Sequence, residues 1–209
     1  MENGTGTAQH VLIHLGMKHP MRDLFQSGNI VHLFKSQAIV YIRLFVYFRQ
    51  PNQKEQIMNI GDKAPEVLGI NEKGEEILLS QYKGKKIVLY FYPKDNTSGC
   101  TAEACSLRDN YAELKAKGYE VIGVSVDNEK SHQKFIEKYE LPFTLIADTD
   151  KKLVEAMGVW GEKSMYGRKY MGTFRTTFII NEEGVVEKVF LPKEIKTKTH
   201  GEQILAKIN

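Results

Sequence analysis

The chain has 209 residues, 42% of them hydrophobic, and only two cysteines, so it supports one well-buried domain plus an appendage and not a disulfide-stapled secreted scaffold. Its net charge of +3 resides in residues 1–57, where Lys18, Arg22, Lys35, Arg43, Arg49 and Lys54 outnumber Glu2, Asp23 and Glu55; the other 23 basic and 23 acidic side chains balance. A neutral, sign-interspersed domain lacks the basic stripe of a nucleic-acid surface, and two cysteines far from most of the histidines leave no four-ligand zinc site.

Residues 30–48 are strongly apolar and long enough to span a bilayer. Lys35 and Arg43 within them would each cost about 2.5–3.5 kcal/mol at a membrane centre. A signal peptide fits poorly, because the apolar run starts late and no small-residue cleavage site follows. Three readings stand: a weak anchor, an amphipathic or disordered appendage, or an extension outside the native protein. From Met58 the text becomes ordinary globular-domain sequence, so the expected division is 1–57 as an N-terminal extension and 58–209 as the domain.

In the domain, the Asn71-Glu72-Lys73-Gly74 turn predicts a hairpin of strands 66–69 and 75–78. Residues 87–92, β-branched and aromatic, read as a buried parallel strand. A helix over 98–117 follows, ended by Gly118. Next come strand 121–126, helix 129–139, strand 143–146 and helix 151–157. A Gly- and aromatic-rich loop spans 158–172, strands 176–180 and 185–190 flank a turn at 181–184, and helix 201–207 closes the chain. This order predicts an α/β domain with a mixed central sheet and helices on both faces.

The chemistry concentrates in Thr97-Ser98-Gly99-Cys100-Thr101-Ala102-Glu103-Ala104-Cys105. Strand, tight turn and helix place Cys100 in the first helical turn, where free backbone N–H groups and the helix dipole favour a thiolate. A Cys–His hydrolase would need a nearby base. His132, in Glu129-Lys130-Ser131-His132, reads as a solvated helix residue, and His200 reads the same way. A thiolate without a histidine, supported by hydroxyl and guanidinium donors, suits peroxide reduction or disulfide exchange. The Cys-x-x-Cys spacing of a disulfide oxidoreductase is missing.

Pro93-x-x-x-Thr97-x-x-Cys100 is the active-site signature of the peroxiredoxins. The run from Phe91 to Asp109, with Gly158-Val159-Trp160-Gly161-Glu162-Lys163 and Arg175-x-Thr177-Phe178-Ile179-Ile180, resembles the bacterioferritin comigratory protein, or Q-type, subgroup over about residues 58–205. Ser98 stands where relatives commonly carry proline. The resemblance implies a thioredoxin-like fold and a thiol-dependent peroxidase acting on hydrogen peroxide and organic hydroperoxides. It implies Cys100 as peroxidatic nucleophile, Thr97 orienting the peroxide, Arg175 stabilising thiolate and developing oxyanion, and Pro93 shaping the pocket. It also implies Cys105 as resolving thiol and a thioredoxin-type dithiol as reductant, with no metal or organic cofactor. Arg108 is equally readable as a surface partner of Asp109, Trp160 and Phe178 read as packing residues, and Tyr92 is a candidate pocket wall.

Geometry adds a constraint. On an ideal helix, positions five apart have Cα atoms about 8.7 Å apart, beyond the ~7 Å reach of a disulfide. Joining Cys100 to Cys105 therefore requires the first turn or two to unwind. The overall expectation is a cytoplasmic enzyme, monomeric or weakly dimeric; the alternative is a redox-sensing module whose unwound helix is read by a protein partner.

Overall fold

The computed structural model describes residues 57–165 and 167–208, so the readings for residues 1–56 lie outside the described residues. A small hairpin, β1 (Val67–Ile70) and β2 (Glu76–Leu78), leads into the central strand β3 (Lys86–Phe91). On β3 and the residue after it, successive side chains serve opposite cores, as the two-residue period of a strand requires. Ile87, Leu89 and Phe91 pack with Leu68, Ile122, Phe178 and Ile180; Val88, Tyr90 and Tyr92 pack with Cys100, Leu107, Phe135 and Ile179.

Strands β4 (Tyr119–Ser125) and β5 (Thr144–Ala147) extend the sheet in parallel on one side of β3. On the other side, β8 (Thr176–Ile180) and β9 (Val186–Phe190) extend it antiparallel, giving the order β5-β4-β3-β8-β9. Helices α1 (Ser98–Asp109), α3 (Glu129–Tyr139) and α5 (His200–Lys207) contribute Leu107, Phe135 and Ile204 to one core. Helix α4 (Lys152–Ala156) contributes Leu153 and Val154 to the other, so the sheet is mixed and covered on both faces as expected.

Two expectations change. The helix expected over 98–117 is two helices, α1 and α2 (Tyr111–Ala116), parted at Asn110. There the backbone turns to φ −102°, ψ 5°, and the amide Nδ2 donates to the Ser106 carbonyl at 2.9 Å, a side-chain bond that competes with continued helix. The segment expected to be a loop over 158–172 is instead a hairpin, β6 (Trp160–Met165) and β7 (Arg168–Thr173), paired from Trp160 opposite Thr173 onward. Its glycines and lysines hide an extended backbone that keeps its own antiparallel ladder.

Candidate active site

Thr97 occupies the N-cap of α1 with extended backbone, and its carbonyl accepts the Thr101 N–H at 2.8 Å. Three residues on, Cys100 faces inward from the first turn and is 1% exposed. Arg175, from the two-residue connection between β7 and β8, reaches it from the opposite side: Nη2 donates to Sγ at 3.2 Å. The other guanidinium nitrogen, Nη1, donates to Glu103 Oε2, so one planar fork holds both the sulfur and a carboxylate one helical turn further along α1. Desolvation opposes the Arg175 charge, but Glu103, Cys100 and the hydrogen bonds to both prevail and hold its pKa above the ordinary arginine value.

Glu103 is wholly buried. Burial raises its pKa to about 7 although Arg175 pulls the other way. Its Oε1 has no hydrogen-bond partner, and His200 Nε2 lies 3.9 Å from it. His200 Nε2 is instead 2.8 Å from Thr177 Oγ1. Burial lowers the His200 pKa to about 4, with the Arg175 charge adding to the shift and a Gln203 hydrogen bond opposing it. His200 is therefore a neutral, buried member of the site's surround, not the solvated residue expected.

The other expected residues fall around this centre in different ways. The Thr97 hydroxyl is exposed and donates to the Lys94 carbonyl at 3.1 Å, bracing the turn ahead of the helix. Pro93 is half-buried directly after Tyr92. Cys105 is half-buried on α1, both thiols are free, and the segment between them is helical. Arg108 donates to Asp109 Oδ1 at 2.9 Å and to the Tyr139 carbonyl at 2.7 Å, tying α1 to the end of α3. Phe178 is a core residue and Trp160 packs beside the same core. Tyr92 is buried too, its phenol donating to Asp95 at 2.8 Å.

His132 departs furthest from expectation. It is fully buried, with Nδ1 2.9 Å from Asp95 Oδ2 and Nε2 3.1 Å from the Ile146 carbonyl. Lys163, at the end of the Gly158-Val159-Trp160-Gly161-Glu162-Lys163 run, also borders this region. Its Nζ donates to the Thr173 carbonyl at 3.0 Å and lies 5.7 Å from the centre of the Phe174 ring, so it braces the two residues before Arg175. Its pKa is lowered by burial and by the Arg175 charge. Among the described residues no group of three or more His, Cys, Asp or Glu side chains is placed to hold a metal ion.

This arrangement has close counterparts among known proteins. Residues 60–189 match the AhpC/TSA family. Peroxiredoxin Bcp of Bacillus subtilis is 46% identical over 143 residues, covering 68% of this chain and 90% of that protein. Its Escherichia coli namesake is 42% identical over 148 residues, covering 71% and 94%. A cysteine variant of Xylella fastidiosa PrxQ superposes with a TM-score of 0.67 at 32% identity, covering 73% of this chain and 96% of that one. The Xanthomonas campestris bacterioferritin comigratory protein, studied for alkyl peroxide reduction, superposes at 0.62 with 34% identity, covering 66% and 87%. A buried cysteine at a helix start under an arginine fork, in a chain so matched, belongs to the AhpC/TSA family and, within it, to the peroxiredoxins of the Bcp, or PrxQ, kind.

Proposed function

We propose that Cys100 is the peroxidatic sulfur of this thiol-dependent peroxidase. The observation that carries the assignment is the Arg175 Nη2 donor, 3.2 Å from Sγ in a buried first helical turn. The thiolate attacks one oxygen of the peroxide; an S–O bond forms as the O–O bond breaks. The other oxygen departs as alkoxide or hydroxide and takes a proton to leave as alcohol or water. Arg175 donors face the oxygens on which negative charge develops. Thr97 and Pro93 shape the turn in front of the sulfur, and hydrogen peroxide and organic hydroperoxides are the substrates.

Cys105 then resolves the sulfenic acid. Its thiol attacks the Cys100 sulfur, the S–S bond forms, and the sulfenate oxygen leaves as water. A thioredoxin-type dithiol returns both thiols by exchange. Because 98–109 is helical while both thiols are free, resolution follows unwinding of the first turns. Electrons come from sulfur throughout, so the cycle calls for no metal or organic cofactor. Among the described residues no helix is long and apolar enough to cross a membrane. We assign the domain to residues 58–209, as a monomer or weak dimer working in the cytoplasm.

The test compares wild type, Cys100→Ser and Cys105→Ser in peroxide-dependent oxidation of thioredoxin. The first substitution abolishes turnover; the second leaves one round of Cys100 oxidation and removes the internal disulfide by mass spectrometry. Retained turnover in Cys100→Ser refutes the assignment. A single slow oxidation by wild type, without recycling, would instead favour the sensor reading.

A further inference from the structure

The chain between β3 and α1 has no regular structure, and it sets where the Cys100 helix begins. Within it Asn96 turns the chain in the left-handed region at φ 56°, which asparagine enters more readily than most residues. Asp95, next to it, fastens the loop. Its Oδ1 accepts from the Tyr92 phenol at 2.8 Å; its Oδ2 accepts from Ser131 Oγ at 2.6 Å and from His132 Nδ1 at 2.9 Å. Its own N–H donates to Asp127 Oδ2 at 2.9 Å, and Asp127 is braced in turn by Ser125 Oγ at 2.9 Å.

His132 extends this grip across the sheet. Its Nε2 lies 3.1 Å from the Ile146 carbonyl of β5, so both ring nitrogens meet polar partners. The Asp95 and His132 side chains are 2% and 0% exposed. Among the described residues, the hydrogen bonds that tie residues 93–97 to elements beyond α1 all run through Asp95. One short loop is thus fastened to Tyr92 just after β3, to the β4–α3 connection, to α3 and, through His132, to β5.

We propose that Asp95 and His132 are positioning residues for peroxide reduction, a buried clasp that sets the start of α1 so that Cys100 meets Arg175. The inference rests on the assignment of Cys100 above. The sulfur comes from the first turn of α1 and the guanidinium from the β7–β8 connection, so their 3.2 Å contact survives only while the start of α1 and that connection are both fixed. The clasp lies upstream of the segment that unwinds. It therefore stays closed in the disulfide form, holding one end of the unwinding stretch while Ser106, bonded to the Gly201 N–H at 3.0 Å, holds the other.

The experiment measures hydrogen peroxide oxidation of Cys100 by stopped flow in full-length wild type, Asp95→Asn, His132→Gln and the double variant. Fold is checked by circular dichroism, and reduction of the disulfide by thioredoxin is measured separately. Asp95→Asn slows the peroxide step by about tenfold to a hundredfold, the cost of an ångström-scale misplacement, and leaves the thioredoxin step unchanged. The double variant loses less than the two single losses combined, because neither partner is left unpaired. Tyr92→Phe, which removes one bond and keeps the ring, shows a smaller loss of the same kind and serves if Asp95→Asn does not fold. A folded Asp95→Asn protein that matches wild type within about twofold overturns the proposal, as does equal slowing of both steps. Activity surviving in Cys100→Ser would instead mark failure of the sulfur assignment.

Discussion

Asp95 and Glu103 are both buried carboxylates on either side of the same sulfur, yet they hold protons in opposite ways. Burial pushes each upward. For Asp95 the His132, Ser131 and Tyr92 bonds outweigh burial and leave its pKa below the ordinary aspartate value. Glu103 receives only Arg175, keeps one oxygen without a donor, and rests at about 7. Depth and donors both separate them: Glu103 is the more deeply buried and has one charged donor, whereas Tyr92, Ser131 and His132 converge on Asp95. One carboxylate is a fixed fastening; the other is balanced near neutrality beside the Arg175 guanidinium.

Removing the donor that Glu103 depends on has the largest expected effect. Arg175→Ala strips the sulfur and the carboxylate of the same fork, and the peroxide step falls by about a hundredfold to a thousandfold, the scale of losing a preorganised donor. Arg175→Lys restores charge without the two-pronged geometry and recovers only part of that rate. The second-order rate constant with hydrogen peroxide decides it; wild-type rates in Arg175→Ala would remove Arg175 from the site.

Glu103 and His200 make a second contrast, read in stability against pH. Glu103 binds its proton more tightly folded than unfolded, so it lowers stability as pH rises from about 4.5 to about 7. His200 binds its proton less tightly folded, so it raises stability as pH rises from about 4 to about 6.5. The two slopes oppose each other across nearly the same window, and wild-type stability stays nearly level there as far as this pair is concerned. Glu103→Gln exposes the His200 slope, with stability climbing with pH; His200→Asn exposes the Glu103 slope, with stability falling. Each unmasked change is on the order of 3 kcal/mol at full extent. Urea unfolding at pH 5 and pH 7 measures it, and parallel profiles for all three proteins would refute the pairing.

The same contrast explains what was legible in the sequence. Cys100 and Arg175 stand in recognisable runs, and the order of elements led directly to the mixed sheet. Glu103 stands within the motif, and its i+3 spacing from Cys100 puts both on one helix face. His132 looked solvated because Glu129, Lys130 and Ser131 surround it. The informative signal was its own spacing to Phe135, which shares its buried face. His200 carried a similar sign in Ile204, four residues on and equally buried. Hydrogen-bond partners brought together by the fold, such as Asp95 with His132, leave no trace in local spacing; only the folded chain joins positions 37 residues apart.

Ser98 lies between the two carboxylates, at the first position of α1, and offers the finest test of how they divide the work. Thr97 before it is extended, at φ −84° and ψ 150°, the backbone a following proline requires. Proline at the first helical position loses no intrahelical donor and restricts the unfolded chain. Ser98→Pro should therefore stabilise the helical form by about 0.4–1 kcal/mol. The unwound form, which resembles unfolded chain locally, loses population by about twofold to fivefold. Formation of the Cys100–Cys105 disulfide then slows by that factor, while Cys100 oxidation, governed by the Asp95 clasp and the Arg175 fork, keeps its rate. Stopped-flow fluorescence of Trp160, the single tryptophan, together with thiol trapping, separates the two steps. Equal slowing of both would mean that the clasp and the unwinding segment move as one body.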